Sequence, residues 1–216
     1  MKRREFSIAA VAVAAPVLVG VSPASAQAAG PMEGKDYHVL GKRVPMDVAA
    51  GKIEVIEFFW YSCPHCNAFE PAFEAWMKAV PKDVVVRRVP VSFRDDFAPQ
   101  QRLFYSLEAL GKVEELHRKV FQAVHVERQA LTSDDAIIAW AVKQGLDKAK
   151  FTEVFRSFTV ASKLRRAAQL QDAFKVEGVP SMGIAGRYYT DGSMAGSMER
   201  ALKVTDYLVV EARKGG

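Results

Sequence analysis

Residues 55–72 read VIEFFWYSCPHCNAFEPA, and they hold both cysteines of the chain, Cys63 and Cys66, separated by Pro64 and His65. Before the pair, Ile53 to Trp60 is a β-branched and aromatic run that follows Gly51. A continuous apolar run of that length suits a strand covered on both faces of a sheet. After the pair, Phe69, Phe73, Trp76 and Met77 recur at three- and four-residue spacings, which predicts a helix from about Pro64 to Val80. Asp83 to Val91, containing VVVRRVPV, reads as the next strand. Strand, helix, strand at this spacing is a βαβ unit with a parallel pair.

Beyond Pro99 the pattern changes, and up to about Val176 it contains amphipathic helices and no convincing strand. Helices are predicted over Gln100 to Leu110, Val113 to Val126, Ser133 to Gly145, Phe151 to Phe158 and Ser162 to Phe174. Ser133 is a natural N-cap, with Asp134 and Asp135 in the first turn. Met182 to Ala185 and Tyr188 to Thr190 then flank Gly186-Arg187, a two-residue hairpin signal, and Met198 to Ala212 closes the chain as a helix. Tyr37 to Leu40 fits a short edge strand. The implied division is a sheet unit over 27–97, a helical block over 98–176, and the rest of the sheet unit over 177–216.

Half of the 216 residues are hydrophobic and a quarter are charged, as in an ordinary globular protein. The N-terminus reads as a signal peptide over 1–26. Lys2, Arg3 and Arg4 precede an apolar Ile8 to Val21, and Ala24-Ser25-Ala26 is a small-residue cleavage site. A membrane anchor fits less well, because the apolar run is shorter than the roughly 20 residues a span needs. The order Arg3-Arg4-Glu5-Phe6 resembles a twin-arginine signal, while the basic start also fits the general secretory route. Losing 1–26 removes three basic groups and one acidic group, so a net charge of +5 becomes +3. That mild charge, with no basic run interleaved with aromatics, argues against nucleic-acid binding.

Three uses compete for Cys63 and Cys66. A zinc site needs four ligands and would have to recruit distant His38, His117 or His125. A structural disulfide works by closing a loop in the unfolded chain, and a two-residue loop closes almost nothing. A redox pair accounts for the neighbours as well. Cys63 lies where strand gives way to helix, so its thiolate faces free N–H groups and the positive end of the helix dipole. Pro64 suits the first helical turn, and His65 adds a polar group that can become cationic beside the sulfur. Stabilising the reduced thiolate makes the disulfide a stronger oxidant. Cys66, one turn further in, becomes the buried resolving thiol.

Glu57 lies in the middle of the apolar strand, six residues before Cys63. A solvent-facing carboxylate is the plainer reading. With Ile56, Phe58 and Phe59 around it, burial with a raised pKa and proton exchange with Cys66 is the favoured one. Pro71 falls inside the helix and is expected to kink it. Val179-Pro180 reads either as a loop breaker or as a cis peptide beside the disulfide.

Glu-Phe-Phe-x-Tyr-x-Cys-Pro-His-Cys, followed over a hundred residues later by Gly-Val-Pro-Ser, resembles the DsbA family of periplasmic thiol:disulfide oxidoreductases. The resemblance spans nearly the whole chain after residue 26. It implies an α/β, thioredoxin-like fold with an inserted all-helical domain. It further implies that Cys63 is an exposed nucleophile, Cys66 its buried partner, Glu57 a buried acid beneath them, and Val179-Pro180 a cis-proline loop that pairs with substrate backbone. Many relatives carry a lysine near the buried acid, where this chain has Arg87 and Arg88. An arginine stays charged, which points to a more firmly ionised Glu57.

The expectation is an exported enzyme, monomeric and periplasmic, that passes the Cys63–Cys66 disulfide to newly exported, partly unfolded proteins. A DsbB-type membrane quinone reductase would restore it, with no metal or organic cofactor. A disulfide isomerase or reductase is the alternative within enzymes, and a chaperone-like peptide binder the alternative outside them.

Overall fold

The computed structural model describes residues 30–215, so the signal peptide expected at 1–26 lies outside the described residues. Five strands form one mixed sheet: β1 (His38–Val39), β2 (Ile53–Phe59), β3 (Val84–Pro90), β4 (Ser181–Ile184) and β5 (Tyr188–Asp191). Their order across the sheet is β1-β5-β4-β2-β3. Only β2 and β3 run parallel; β2 with β4, β4 with β5, and β5 with β1 are antiparallel. The parallel pair is joined through α1 (Pro64–Ala79), as the βαβ reading requires.

Every residue of β2 is buried, including Glu54 and Glu57. Period-two alternation divides them between two cores. Ile53 and Val55 pack with Phe69 and Phe73 of α1 and with Leu208 of the closing helix α8 (Met198–Lys214). Ile56 and Phe58 pack on the other side, in a core continuous with the helical block. There the Phe174 ring lies against the sheet at Gly183, where an added Cβ would come within 2.5 Å of the ring. The absent side chain at Gly183 therefore makes room for Phe174.

The helical block comprises α2 (Ala98–Ala109), α3 (Val113–His125), α4 (Asp134–Lys143), α5 (Lys148–Phe155) and α6 (Phe158–Ala173). Ser133 caps α4 as expected, accepting from the Ala136 N–H. Two helix starts differ from the sequence reading. The helix expected at Phe151 begins at Lys148 because Asp147 caps it, and the one expected at Ser162 begins at Phe158 because Ser157 caps it. Apolar periodicity places a helix from its first buried residue, whereas the cap lies up to a turn earlier.

The hairpin also differs. Arg187 N–H bonds to Ile184 C=O, so the central turn residues are Ala185 and Gly186, at φ of 54° and 62°, rather than Gly186 and Arg187. A side chain at Gly186 would lie 2.0 Å from the Val44 carbonyl. After β5, a short helix α7 (Gly192–Ala195) precedes α8. Pro71 is accommodated within α1, which continues through it to Ala79.

Candidate active site

Cys63 is the N-cap of α1. Its backbone is extended, its sulfur accepts from the Cys66 N–H at 3.4 Å, and Pro64 follows inside the first turn. A thiolate here therefore replaces a capping oxygen and meets the unpaired donors of the helix start. The Cys63 thiol is lowered to about 6, chiefly by the hydrogen bond from the Cys66 side chain, against the opposing effect of burial. The N–H groups of Cys66 and His65 contribute next, and the charge of His65 less. The Cys66 thiol is pushed well up, first by burial and then by Cys63. Both thiols are free in this structure.

Cys63 is less open than the family resemblance implies. Only 7% of it is exposed, against none of Cys66. The reason is the opposing loop: the Val179-Pro180 peptide is cis, and the Cys63 thiol donates to the Val179 carbonyl at 3.4 Å. The Val179 backbone makes no other hydrogen bond among the described residues, so its N–H has no partner there.

Beneath the pair, a line of buried polar groups crosses from the sheet to the helical block. Arg88 of β3 lies opposite Glu57 of β2 in the parallel register and donates to its Oε2 at 3.1 Å. Its second nitrogen donates to Glu70 Oε1 of α1, while its guanidinium lies 5.2 Å from the Phe73 ring centre. His117 of α3 places Nε2 at 3.5 Å from Glu70 Oε2 and Nδ1 at 2.9 Å from the Tyr61 hydroxyl. The Nε2 contact is longer than a full hydrogen bond, yet neither atom has another partner.

Glu57 is pushed up to about 8 by burial, with the Glu70 charge adding to the rise and Arg88 opposing it. The rise is in the direction the buried-acid reading expects, and Arg88 acts against it as its charge requires. Arg88 does pair with it, but one cation is shared between two buried carboxylates, and burial outweighs half a partner. Burial also raises Glu70, but the His117 contact and the charges of Arg88 and Arg118 bring it below its ordinary value. Glu57 Oε1 has no partner, leaving an acceptor free in the interior.

The helical block also grips the loop that leads into Cys63. Trp60 stacks on Phe97 at 3.8 Å, Tyr61 C=O accepts from His125 Nε2 at 2.8 Å, and Gln100 donates to Ser62 Oγ at 2.7 Å. Of the histidines considered as zinc ligands, His117 and His125 thus serve the loop, while His38 lies on β1. Among the described residues, no cluster of three or more His, Cys, Asp or Glu side chains is placed to hold a metal ion. Glu70 escaped the sequence reading because its position in α1 resembles that of any surface glutamate. Its one signal is helical phase: it lies one residue after buried Phe69 and four after Cys66.

A family model described as DSBA-like thioredoxin domain matches residues 54–203. The thiol:disulfide interchange protein DsbA of Bordetella parapertussis is 45% identical over 208 residues, 96% of each chain. Its counterpart in Burkholderia cepacia is 40% identical over 88% of this chain and 90% of that one. The crystal structure of Pseudomonas aeruginosa DsbA superposes with a TM-score of 0.80 at 37% identity, covering 84% of this chain and 94% of that one.

Proposed function

The chain belongs to the DsbA-like thioredoxin family and is a thiol:disulfide oxidoreductase, and from that premise we propose how its residues divide the reaction. A substrate thiolate attacks Cys63 Sγ of the disulfide. The Cys63–Cys66 bond breaks and Cys66 leaves as a thiolate. Because burial makes that anion unfavourable, it takes a proton from Glu57, whose carboxyl holds one near neutral pH. The substrate's second thiolate then attacks its own sulfur in the mixed disulfide and releases Cys63, which leaves readily because its thiolate is stabilised. Two electrons pass from the substrate dithiol to the pair, and Glu57 recovers its proton from solvent.

The observation that carries this direction of flow is the opposite displacement of the two thiols, Cys63 lowered to about 6 and Cys66 raised. Substrates are extended, partly unfolded exported chains, whose backbone pairs with the free Val179 N–H beside cis-Pro180. His65 and Pro64 act through the helix start. The disulfide is the only redox group the reaction requires. A DsbB-type quinone-linked membrane enzyme reoxidises the pair in the periplasm, and the enzyme works as a monomer. Among the described residues no helix is long and apolar enough to cross a membrane.

The test is the equilibrium of Cys63–Cys66 with a glutathione buffer, alongside disulfide formation by Cys63→Ser. A pair that glutathione readily reduces supports a donor of disulfides. A pair that stays oxidised in reducing buffer would point to a structural role, and undiminished activity of Cys63→Ser would exclude the mechanism.

A further inference from the structure

His117 is a buried residue of the helical block, 3% exposed, and nothing in the exchange chemistry calls for it. Its two ring nitrogens nevertheless join the loop before Cys63 to the Glu70 carboxylate under the pair. Glu70 has only acceptor atoms to offer, so the ring proton sits on Nε2, and Nδ1 accepts from the Tyr61 O–H. Tyr61 in turn has its carbonyl held by His125, which limits how far the loop can move from α3.

We propose that His117 is a positioning residue for the redox step: by holding Oε2 of Glu70 it keeps that carboxylate charged, so that Arg88 stays divided and Glu57 can carry the proton that Cys66 needs. The inference rests on the reading of Glu57 as the proton donor to Cys66. Without the ring, Glu70 Oε2 loses the one group within reach and Glu70 becomes the easier of the two carboxylates to protonate. Arg88 is then left to Glu57 alone, and its undivided charge holds Glu57 ionised. The helical block thereby sets the charge state of a group on the sheet it is inserted into.

The charged and titratable groups around this unit are few. Glu57 faces Arg88 and Glu70, with Cys66 above it. His117 faces Glu70, Arg88 and Glu114, and Arg118 adds its charge at Glu70. A cavity of about 470 Å³ between α1 and α3 has Arg88 and His117 in its wall with Glu74, Glu114 and Arg118, so solvent reaches the outer side of the unit.

The experiment compares the unmodified protein with His117→Phe, His117→Gln and Glu57→Gln. It follows the single-turnover rate of mixed-disulfide formation with a dithiol peptide as a function of pH, together with carboxyl titrations by ¹³C NMR. In His117→Phe the Glu57 titration is expected to move down by about one pH unit, while His117→Gln, which keeps a donor and an acceptor, leaves it in place. A histidine that only packs would lower the melting temperature and leave the titration where it was. That result, with Glu57→Gln removing the corresponding limb of the rate profile, would overturn the proposal alone. If Glu57→Gln leaves the limb intact, the proton-donor reading falls and this one with it. Should His117→Phe not fold, Tyr61→Phe removes only the hydroxyl that donates to Nδ1 and holds the ring against Glu70. It is expected to shift Glu57 in the same direction, and an unmoved titration there refutes the proposal.

Discussion

The β2–β3 ladder carries two glutamate–arginine pairs on its opposite faces, and they differ in kind. Glu54 and Arg87 lie on the face toward the helical block, with Arg87 Nη2 2.8 Å from Glu54 Oε1 and the arginine side chain 25% exposed. Glu57 and Arg88 lie on the face toward α1, where the Arg88 side chain is 9% exposed and serves Glu70 as well. The first pair has one cation per carboxylate and an outlet to water. The second has one cation for two carboxylates and no comparable outlet. The residue types are the same, and what separates the pairs is the count of charges and the depth at which the arginines sit.

The comparison is broken most severely by Arg88→Met. It leaves two carboxylates buried without their cation, and a loss of about 3–5 kcal/mol is expected by chemical denaturation at neutral pH. That loss should shrink as pH falls. Both carboxyls then have folded pKa values above their unfolded ones, so the folded state binds more protons and gains stability through that window. A loss that is independent of pH would show that Arg88 acts by packing on Phe73 rather than by charge.

The pair above the ladder supplies the next effect. With the Cys63 thiol lowered to about 6, the reduced protein gains stability that is present above the unfolded thiol pKa and is lost as pH falls through about 6. Its melting temperature should exceed that of the oxidised form by several degrees in mildly alkaline buffer, and the advantage should fade in acid. Scanning calorimetry of both forms across pH checks this, and a reduced form that melts lower throughout would contradict it.

Arg87→Met tests the other side of the comparison. One partly solvated pair is lost, and the expected cost is about 1–2 kcal/mol, with the redox equilibrium unchanged. The smallest effect belongs to His65→Ala. The His65 charge is the weakest of the influences named on Cys63, so the glutathione equilibrium should move by less than about tenfold, which is under ~30 mV. A larger shift would place His65 ahead of the helix-start donors.

Much of this was legible in the residues. Ile53 to Trp60 declares a strand buried on both faces, the Cys-Pro-His-Cys run declares a helix start, and the change of period after Pro99 marks the helical block. Two helix starts were misplaced because Asp147 and Ser157 cap from positions that apolar periodicity does not register. Arg88 was noticed and its effect on Glu57 has the expected sign, but burial and the Glu70 charge outweigh it. A strand pattern shows which carboxylate lies beside an arginine and does not show that a second carboxylate from a helix competes for it.

By itself, then, the sequence determined the local chemistry: a thiol at a helix N-cap, a proline in the first turn, a glutamate inside an apolar strand. These follow from neighbours a few residues apart, where periodicity and backbone preference act. Only the tertiary structure decided what that glutamate does. Its protonation depends on desolvation and on Glu70, Arg88 and His117, which arrive from three different elements, and charges in a low-dielectric interior act through distance in space rather than along the chain.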